Sequence, residues 1–451
     1  MSNIGKANAN ASRAFFVRML TRDISVEDCI LDLVDNSVDS AWKALGKKPL
    51  TISDGPDFSK TAINLKFDDE SFEIVDNGGG MSLDSATKYA FTFGRQARDP
   101  EDNAEFSIGV YGIGLKRAVF KIGTKISVRS THTADGVRDA FVVPINVKRW
   151  VEGTSTNWDF PIESADPMRE DGLMIEVGGL TDLAALTFAD PEFQRSLKRT
   201  IGRDYALHIR RGLTIRVNGE KVVGEDFKLI ASDQFAPQYL KWKEVVGGSD
   251  VFVEMAAGFA FPPPSDNEPS DKGNREDRSG WYVACNGRIV MAADKTYLSV
   301  WGDDFPSWHP QYTGFFGLIV FTADDTELLP LTTTKRSVDL SSVVYRRARA
   351  KMRESTRAWI TYTHERKADQ QTADRVEKEA GRTSIFAIKP RAQVALPSVQ
   401  KTRQRESSIQ FMALKTRIVE LAKALGNVNM SNKDVGIAAF DYAYDELVQG
   451  E

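Results

Sequence analysis

Three short stretches of this 451-residue chain combine residue types suited to an anionic ligand. In residues 25–45, Asp32 and Asn36 are four apart, so a helix turns both to the same side. A carboxylate there can orient or deprotonate a water, and an amide oxygen is a hard ligand of the kind Mg²⁺ takes alongside phosphates. Asp76 closes an apolar run and leads into Asn77-Gly78-Gly79-Gly80-Met81, where its carboxylate can accept a hydrogen bond from a base amino group. Glycines at 78 and 80 let a ligand approach the backbone closely. The third stretch, Gly109-Val110-Tyr111-Gly112-Ile113-Gly114-Leu115-Lys116, feeds a helix N-terminus, whose free N–H groups and dipole favour phosphate. It does not follow the P-loop pattern, and it reverses the spacing of the dinucleotide fingerprint. Each fragment alone reads as a turn or a solvated helix face; the weight lies in the ordered set.

The elements that must position these groups follow from periodicity. Val26, Ile30, Leu33, Val34, Ala41, Trp42 and Leu45 form one apolar stripe over residues 25–45, with Ser25 as N-cap. The opposite face carries Asp28, Asp32, Asn36 and Asp39. Alternating runs at 62–67 and 72–75, joined by Asp68-Asp69-Glu70, read as a hairpin. A helix is expected over 82–93, a polar flexible stretch over 94–105, and a second helix from the glycine run to near Gly123. Strands follow at 125–130, 140–147 and 173–177. Without regular strand–helix alternation, this is a layered α+β sandwich rather than a doubly wound sheet.

Beyond Phe227 a second unit shows strands near 251–261, 281–290 and 317–321, interrupted by a proline- and charge-rich loop over 261–280. A charged helical region, a basic linker and two closing helical patterns, 408–425 and 434–448, complete the chain. Apolar positions Ile437, Phe440, Tyr444 and Leu447 suggest a packing face, on the chain's own body or on a second copy.

Composition is that of a globular protein, with 41% hydrophobic and 27% charged residues. Lys and Arg total 59 against 63 Asp and Glu, a net charge of −4, which excludes binding nucleic acid through bulk charge. No apolar run approaches a membrane span, and Arg18 interrupts the only apolar N-terminal cluster. Cys29 and Cys285 lie far apart in apolar contexts and read as buried thiols, which fits a reducing cytoplasm.

LDLVDNSVDSA (31–41), VDNGGGM (75–81) and GVYGIGLK (109–116) resemble the three nucleotide-binding motifs of the GHKL ATPase superfamily, which includes gyrase, the ATP-dependent heat-shock chaperone, histidine kinases, MutL and MORC proteins. YVACNGR (282–288) is similar to an Asn-Gly-Arg strand of the MutL-type second domain, and LPLTTTK (329–335) to the loop through which such transducer domains send a lysine to the ATP γ-phosphate. FTFGRQ (91–96) leans towards MutL- and MORC-like members. The resemblance, which spans about residues 10–345, implies a GHKL-type (Bergerat) α/β sandwich over 1–230 and a transducer-like α/β domain over 231–345; composition and pattern add a charged helix over 346–382, a basic linker over 383–405 and a helical C-terminal region over 406–451.

It also implies roles. Asn36 holds Mg²⁺, Asp76 reads the adenine amino group and Met81 packs on the ring, with Gly78 and Gly80 in the same turn. Gly109, Gly112, Gly114, Leu115 and Lys116 wrap the triphosphate, and Lys335 completes the γ-phosphate site. Asp32 takes the place of the general base, where most hydrolysing relatives have the longer glutamate; slower turnover follows as a hypothesis. Leu173 stands where many relatives have threonine.

The expected activity is Mg²⁺-dependent ATP binding and slow hydrolysis in a cytoplasmic protein, driving ATP-dependent homodimerisation or a conformational switch, with the stretch before Ser25 crossing to a partner. The alternatives are a non-hydrolysing ATP-gated interaction module whose C-terminal helices recruit a protein, and a MutL- or MORC-like DNA clamp using Arg346 to Lys351 and the basic linker. Kinase activity ranks below both: His364-Glu365-Arg366 follows the ATP motifs instead of preceding them.

Overall fold

The computed structural model describes residues 12–46, 48–92, 106–109, 113–153, 158–264, 272–302, 304–397 and 408–449. It divides into two compact units, Met1–Gln400 and Lys401–Glu451.

The larger unit opens with α1 (Arg13–Arg22) and α2 (Val26–Leu45). The Ser25 hydroxyl accepts the Asp28 N–H at 3.0 Å, satisfying one of the free donors of the first turn. Gly46, at φ +85°, lets the chain leave α2. β1 (Ala62–Phe67) and β2 (Ser71–Asp76) form the expected hairpin, Ile63 facing Asp76 across it. The buried side of β2 is Phe72, Ile74 and, two further on, Asp76, so the period of the strand carries a carboxylate into the core.

The helix expected over 82–93 is short: α3 (Leu83–Ser85) runs into a π-type turn, Ala86–Ala90. The Ala90 and Thr92 carbonyls are taken by the Lys116 ammonium, which competes with continuation of the helical ladder. Residues 93–105, with most of FTFGRQ and the polar stretch, lie outside the described residues, as do 1–11. α4 (Gly114–Ile122) follows the glycine run, then β3 (Gly123–Ala134), β4 (Val137–Asn146), α5 (Val147–Glu152), β5 (Glu163–Ser164) and β6 (Gly172–Leu180). The helices α6 (Asp182–Ala189), α7 (Pro191–Asp204) and α8 (Ala206–Arg210), unforeseen in the sequence, lead to β7 (Thr214–Val217) and β8 (Glu220–Lys221). The resulting sheet runs β5-β4-β3-β6-β2-β1-β7-β8, antiparallel except where β7 joins β1.

Within the same unit, β9 (Lys228–Ala231), β10 (Gln238–Val246), β11 (Ser249–Phe259), the short α9 (Lys272–Asp277), β12 (Gly280–Cys285), β13 (Arg288–Asp294) and β14 (Phe315–Thr322) precede the long helix α10 (Val343–Glu365), α11 (Gln370–Glu379) and β15 (Gly381–Ser384). The second sheet runs β10-β11-β14-β12-β13. Its central strands are buried on both sides. Tyr282, Ala284, Phe316, Leu318 and Val320 join the core of the first sheet, while Trp281, Val283, Phe315, Ile319 and Phe321 join a second core beneath α10. Such strands read as continuous apolar runs rather than as alternating ones. The strand read at 281–290 is a hairpin that turns at Asn286-Gly287, both in left-handed backbone.

Part of the stretch expected as a basic linker is built into this unit. β15 pairs with β9, and Arg391 and Ala395 bridge to Tyr239 and Ala236.

The C-terminal unit consists of α12 (Lys415–Ala424) and α13 (Asn432–Tyr444), the latter capped by Ser431. Ala422 and Val435 are buried, whereas Ile437, Phe440, Tyr444 and Leu447 are exposed. No helix among the described residues is long and apolar enough to cross a membrane.

Candidate functional site

One face of α2 supplies most of the site. Asp32, Asp35, Asn36 and Asp39 fall at spacings of three and four, so they line up along it. At the end nearer β2, the Ser37 hydroxyl donates to Asp76 Oδ2 at 2.6 Å and the Gly78 N–H to Oδ1 at 2.9 Å. Burial raises the Asp76 carboxyl above the usual range, against the pull of these two donors and the Leu173 backbone. Gly80, at φ +70°, sits against β3 so tightly that a Cβ would lie 2.1 Å from the Thr131 carbonyl oxygen. Met81 follows, its N–H on Ser130 Oγ at 2.7 Å and its side chain on the core. Asp76, Gly78, Gly80 and Met81 thus sit in one turn held against α2 and β3.

The other end is charged. Asp32 is buried with both oxygens engaged: Arg117 Nη2 lies 2.5 Å from Oδ2 and Lys335 Nζ 3.4 Å from Oδ1. Gly114 lies against the same carboxylate, where a Cβ would make contact at 3.5 Å. Asn36 makes no side-chain hydrogen bond among the described residues, and its amide oxygen stands 3.9 Å from where a Gly109 side chain would begin. Beside it, Asp39 accepts the Ile108 and Gly109 N–H groups at 2.6 and 2.7 Å. Burial nevertheless pushes its carboxyl up to about 7.

Lys335 arrives from the loop between β14 and α10. Its backbone is left-handed, φ +54°, and its ammonium reaches Asp35 Oδ2 at 2.8 Å. Asp35 is wholly buried and also meets Arg288 Nε at 3.1 Å and the Tyr205 hydroxyl at 2.6 Å. The adjacent Arg336 pairs with Asp28, and with Asp204 at 3.1 Å. The Asn286-Gly287-Arg288 turn therefore docks as a unit. Arg288 meets Asp35, Gly287 packs at Leu50 and His208, and the Asn286 amide donates to the Ser107 carbonyl.

Asp32, Asn36, Gly109, Gly114 and Lys335 are brought together by the fold, and Leu115 packs on the core behind them. Gly112 lies outside the described residues. Lys116 is placed differently from its neighbours: its ammonium is buried on the Ala90 and Thr92 carbonyls, and burial lowers it to about 8. Sequence reasoning passed over Asp35, Arg117, Ser37 and Tyr205. Arg117 had a signal, standing beside Lys116 at the helix start; Tyr205, in an unforeseen helical segment, had none.

Residues 24–151 match the family model of histidine kinase-, DNA gyrase B-, and HSP90-like ATPases. That span holds α2, the Asp76 turn and α4, so the similarity to GHKL-type ATPases lies in the part of the chain that carries the site. A search of curated proteins finds no match to the chain.

Proposed function

We propose that this chain binds ATP with Mg²⁺ at the α2 face and hydrolyses it slowly. The observation that carries this is charge. Two cations from separate elements, Arg117 of α4 and Lys335 of the loop before α10, converge on Asp32 next to the α4 N-terminus. An anion such as the γ-phosphate could share both.

In this reading Asp76 accepts the adenine amino group, Met81 packs on the ring, and Gly78 and Gly80 admit it. Gly109, Gly112, Gly114 and Leu115 surround the triphosphate, and Lys116 joins them once it leaves the carbonyls it now holds. Asp32 orients the attacking water, and Lys335 and Arg117 balance charge on the γ-phosphate. Among the described residues no cluster of three or more His, Cys, Asp or Glu could hold a metal, so a cation here depends mainly on phosphates and water. The uncommitted Asn36 amide oxygen fits that donor set, and Mg²⁺ bound there would supply charge screening on the triphosphate.

The second sheet acts as the transducer: 1–230 bind nucleotide, 231–345 sense the γ-phosphate, and the charged helix (346–382), basic linker (383–405) and tail (406–451) carry the response. ATP-dependent dimerisation, MutL- or MORC-like, is the output, and the two buried, unpaired thiols suit a cytoplasmic setting. A DNA clamp gains less support. Arg347 pairs with Glu244, Arg349 holds the Tyr297 carbonyl and Lys351 lies over Trp242, so these residues are turned onto the second sheet and its loops.

The test is Mg²⁺-dependent phosphate release by wild type and Asp32→Asn. Release that disappears in the variant supports hydrolysis. Binding without release favours the ATP-gated module, and absence of ATP binding overturns the reading. Unchanged solution mass with a non-hydrolysable ATP analogue ends the dimer proposal.

A further inference from the structure

Asp35 lies one helical turn behind Asp32 and has no exposed surface on which nucleotide could rest. Its partners come from three separate elements: Tyr205 from the junction of α7 and α8, Arg288 from the β12–β13 turn, and Lys335 from the loop before α10. Lys335 reaches Asp32 as well, at 3.4 Å, and is thus shared between two carboxylates of α2. It is also held in a left-handed backbone that lysine seldom adopts. Strain of this kind persists only where the surroundings impose it, and it gathers at working sites.

We propose that Asp35 is a positioning residue, which seats the Lys335 ammonium beside Asp32 at the place where the γ-phosphate arrives; this rests on the ATPase reading above. The two distances define the roles. Lys335 Nζ is 2.8 Å from Asp35 and 3.4 Å from Asp32, so Asp35 is the anchor and Asp32 the neighbour. The Tyr205 hydroxyl and Arg288 occupy Oδ1 of Asp35, leaving Oδ2 to aim the ammonium. Burial favours loss of the Lys335 proton, but Asp35 and Asp32 outweigh it and keep the ammonium charged. Asp35 thereby links the second sheet to turnover without touching substrate.

The experiment is a double-mutant cycle on the full chain, with Asp35→Asn, Lys335→Met and both together, read by single-turnover phosphate release and by affinity for a non-hydrolysable ATP analogue. Asp35→Asn is expected to slow release about tenfold or more, with analogue affinity within about threefold, and to add no further loss once Lys335 is Met. Asp35→Glu, which keeps the charge, should recover part of the rate. Equal losses on both backgrounds would show that Asp35 serves the fold and would overturn the proposal. Should Asp35→Asn not fold, Tyr205→Phe removes the neighbouring hydrogen bond with the charge kept, and the same non-additivity with Lys335→Met decides. A wild-type chain that releases no phosphate fails earlier: it removes the ATPase reading and this proposal with it, whereas an active wild type with an additive cycle removes this proposal alone.

Discussion

Asn286 donates a hydrogen bond of 2.6 Å to the backbone carbonyl of Ser107, a residue 179 positions earlier in the chain. Its amide also holds both backbone groups of Ala323, donating to the carbonyl and accepting the N–H at 3.0 Å each. One side chain thus ties β14, the β12–β13 turn and the segment that opens the glycine run. Asn286→Ala leaves these buried groups unpaired and puts alanine in left-handed backbone, a loss expected at about 2–4 kcal/mol. Urea unfolding measures it; a loss below about 1 kcal/mol would mean the bonds are replaced by water.

Glycine is required at 80 and dispensable at 178. A Cβ on Gly80 meets the Thr131 carbonyl, whereas one on Gly178 meets nothing within 4 Å. Gly80→Ala should destabilise by about 3 kcal/mol or more and abolish ATP binding, while Gly178→Ala leaves both near wild type. Thermal melts with and without ATP distinguish the two outcomes.

Arg117 touches the carboxylate proposed to orient water. Arg117→Gln is expected to lower kcat about tenfold or more with little change in KM, and Arg117→Lys to lose less. Steady-state kinetics that show only a raised KM would assign Arg117 to ground-state binding.

Two groups drawn out of water make opposite contributions to pH dependence. His208 is buried among Trp42, Phe58 and Tyr205 with neither ring nitrogen bonded among the described residues, and burial lowers it to about 3. The unfolded chain then binds the extra proton below about 6.5, so the stability linked to His208 is present above that pH and falls away towards 3. Asp39, raised to about 7, does the reverse: its contribution is full below about 4 and is lost as pH rises towards 7. His208→Leu should flatten acid destabilisation between about pH 6.5 and 4, and Asp39→Asn should flatten the opposing slope between about 4 and 7. Denaturant midpoints at several pH values test both; unchanged slopes would refute the assignments.

The helix of Asp32 and Asn36, the β1–β2 hairpin and the Asp76 turn were legible because local rules fix them: an apolar stripe with a cap, alternation across a strand, and glycines where backbone must approach backbone. Lys335 was legible only through resemblance, since nothing near it in sequence points to α2. Asp35 was missed for a different reason. Its neighbours on α2 suggested a solvated acidic face, and only the second sheet, folded over that face, makes it the most enclosed carboxylate of the group. Lys116 shows the converse, a residue of the expected type whose ammonium the fold sends to the carbonyls that end the π-turn region.

The 300-residue separation of Asp35 and Lys335 has a consequence for biosynthesis. At about 5–20 residues per second, Lys335 leaves the ribosome roughly 15–60 s after Asp35. Arg288 and Tyr205 also emerge late, so the nascent N-terminal layer carries a carboxylate whose counter-charges do not yet exist. The charged end of the candidate site is therefore completed late in synthesis, and a chain truncated before residue 335 lacks the ammonium that reaches both Asp32 and Asp35.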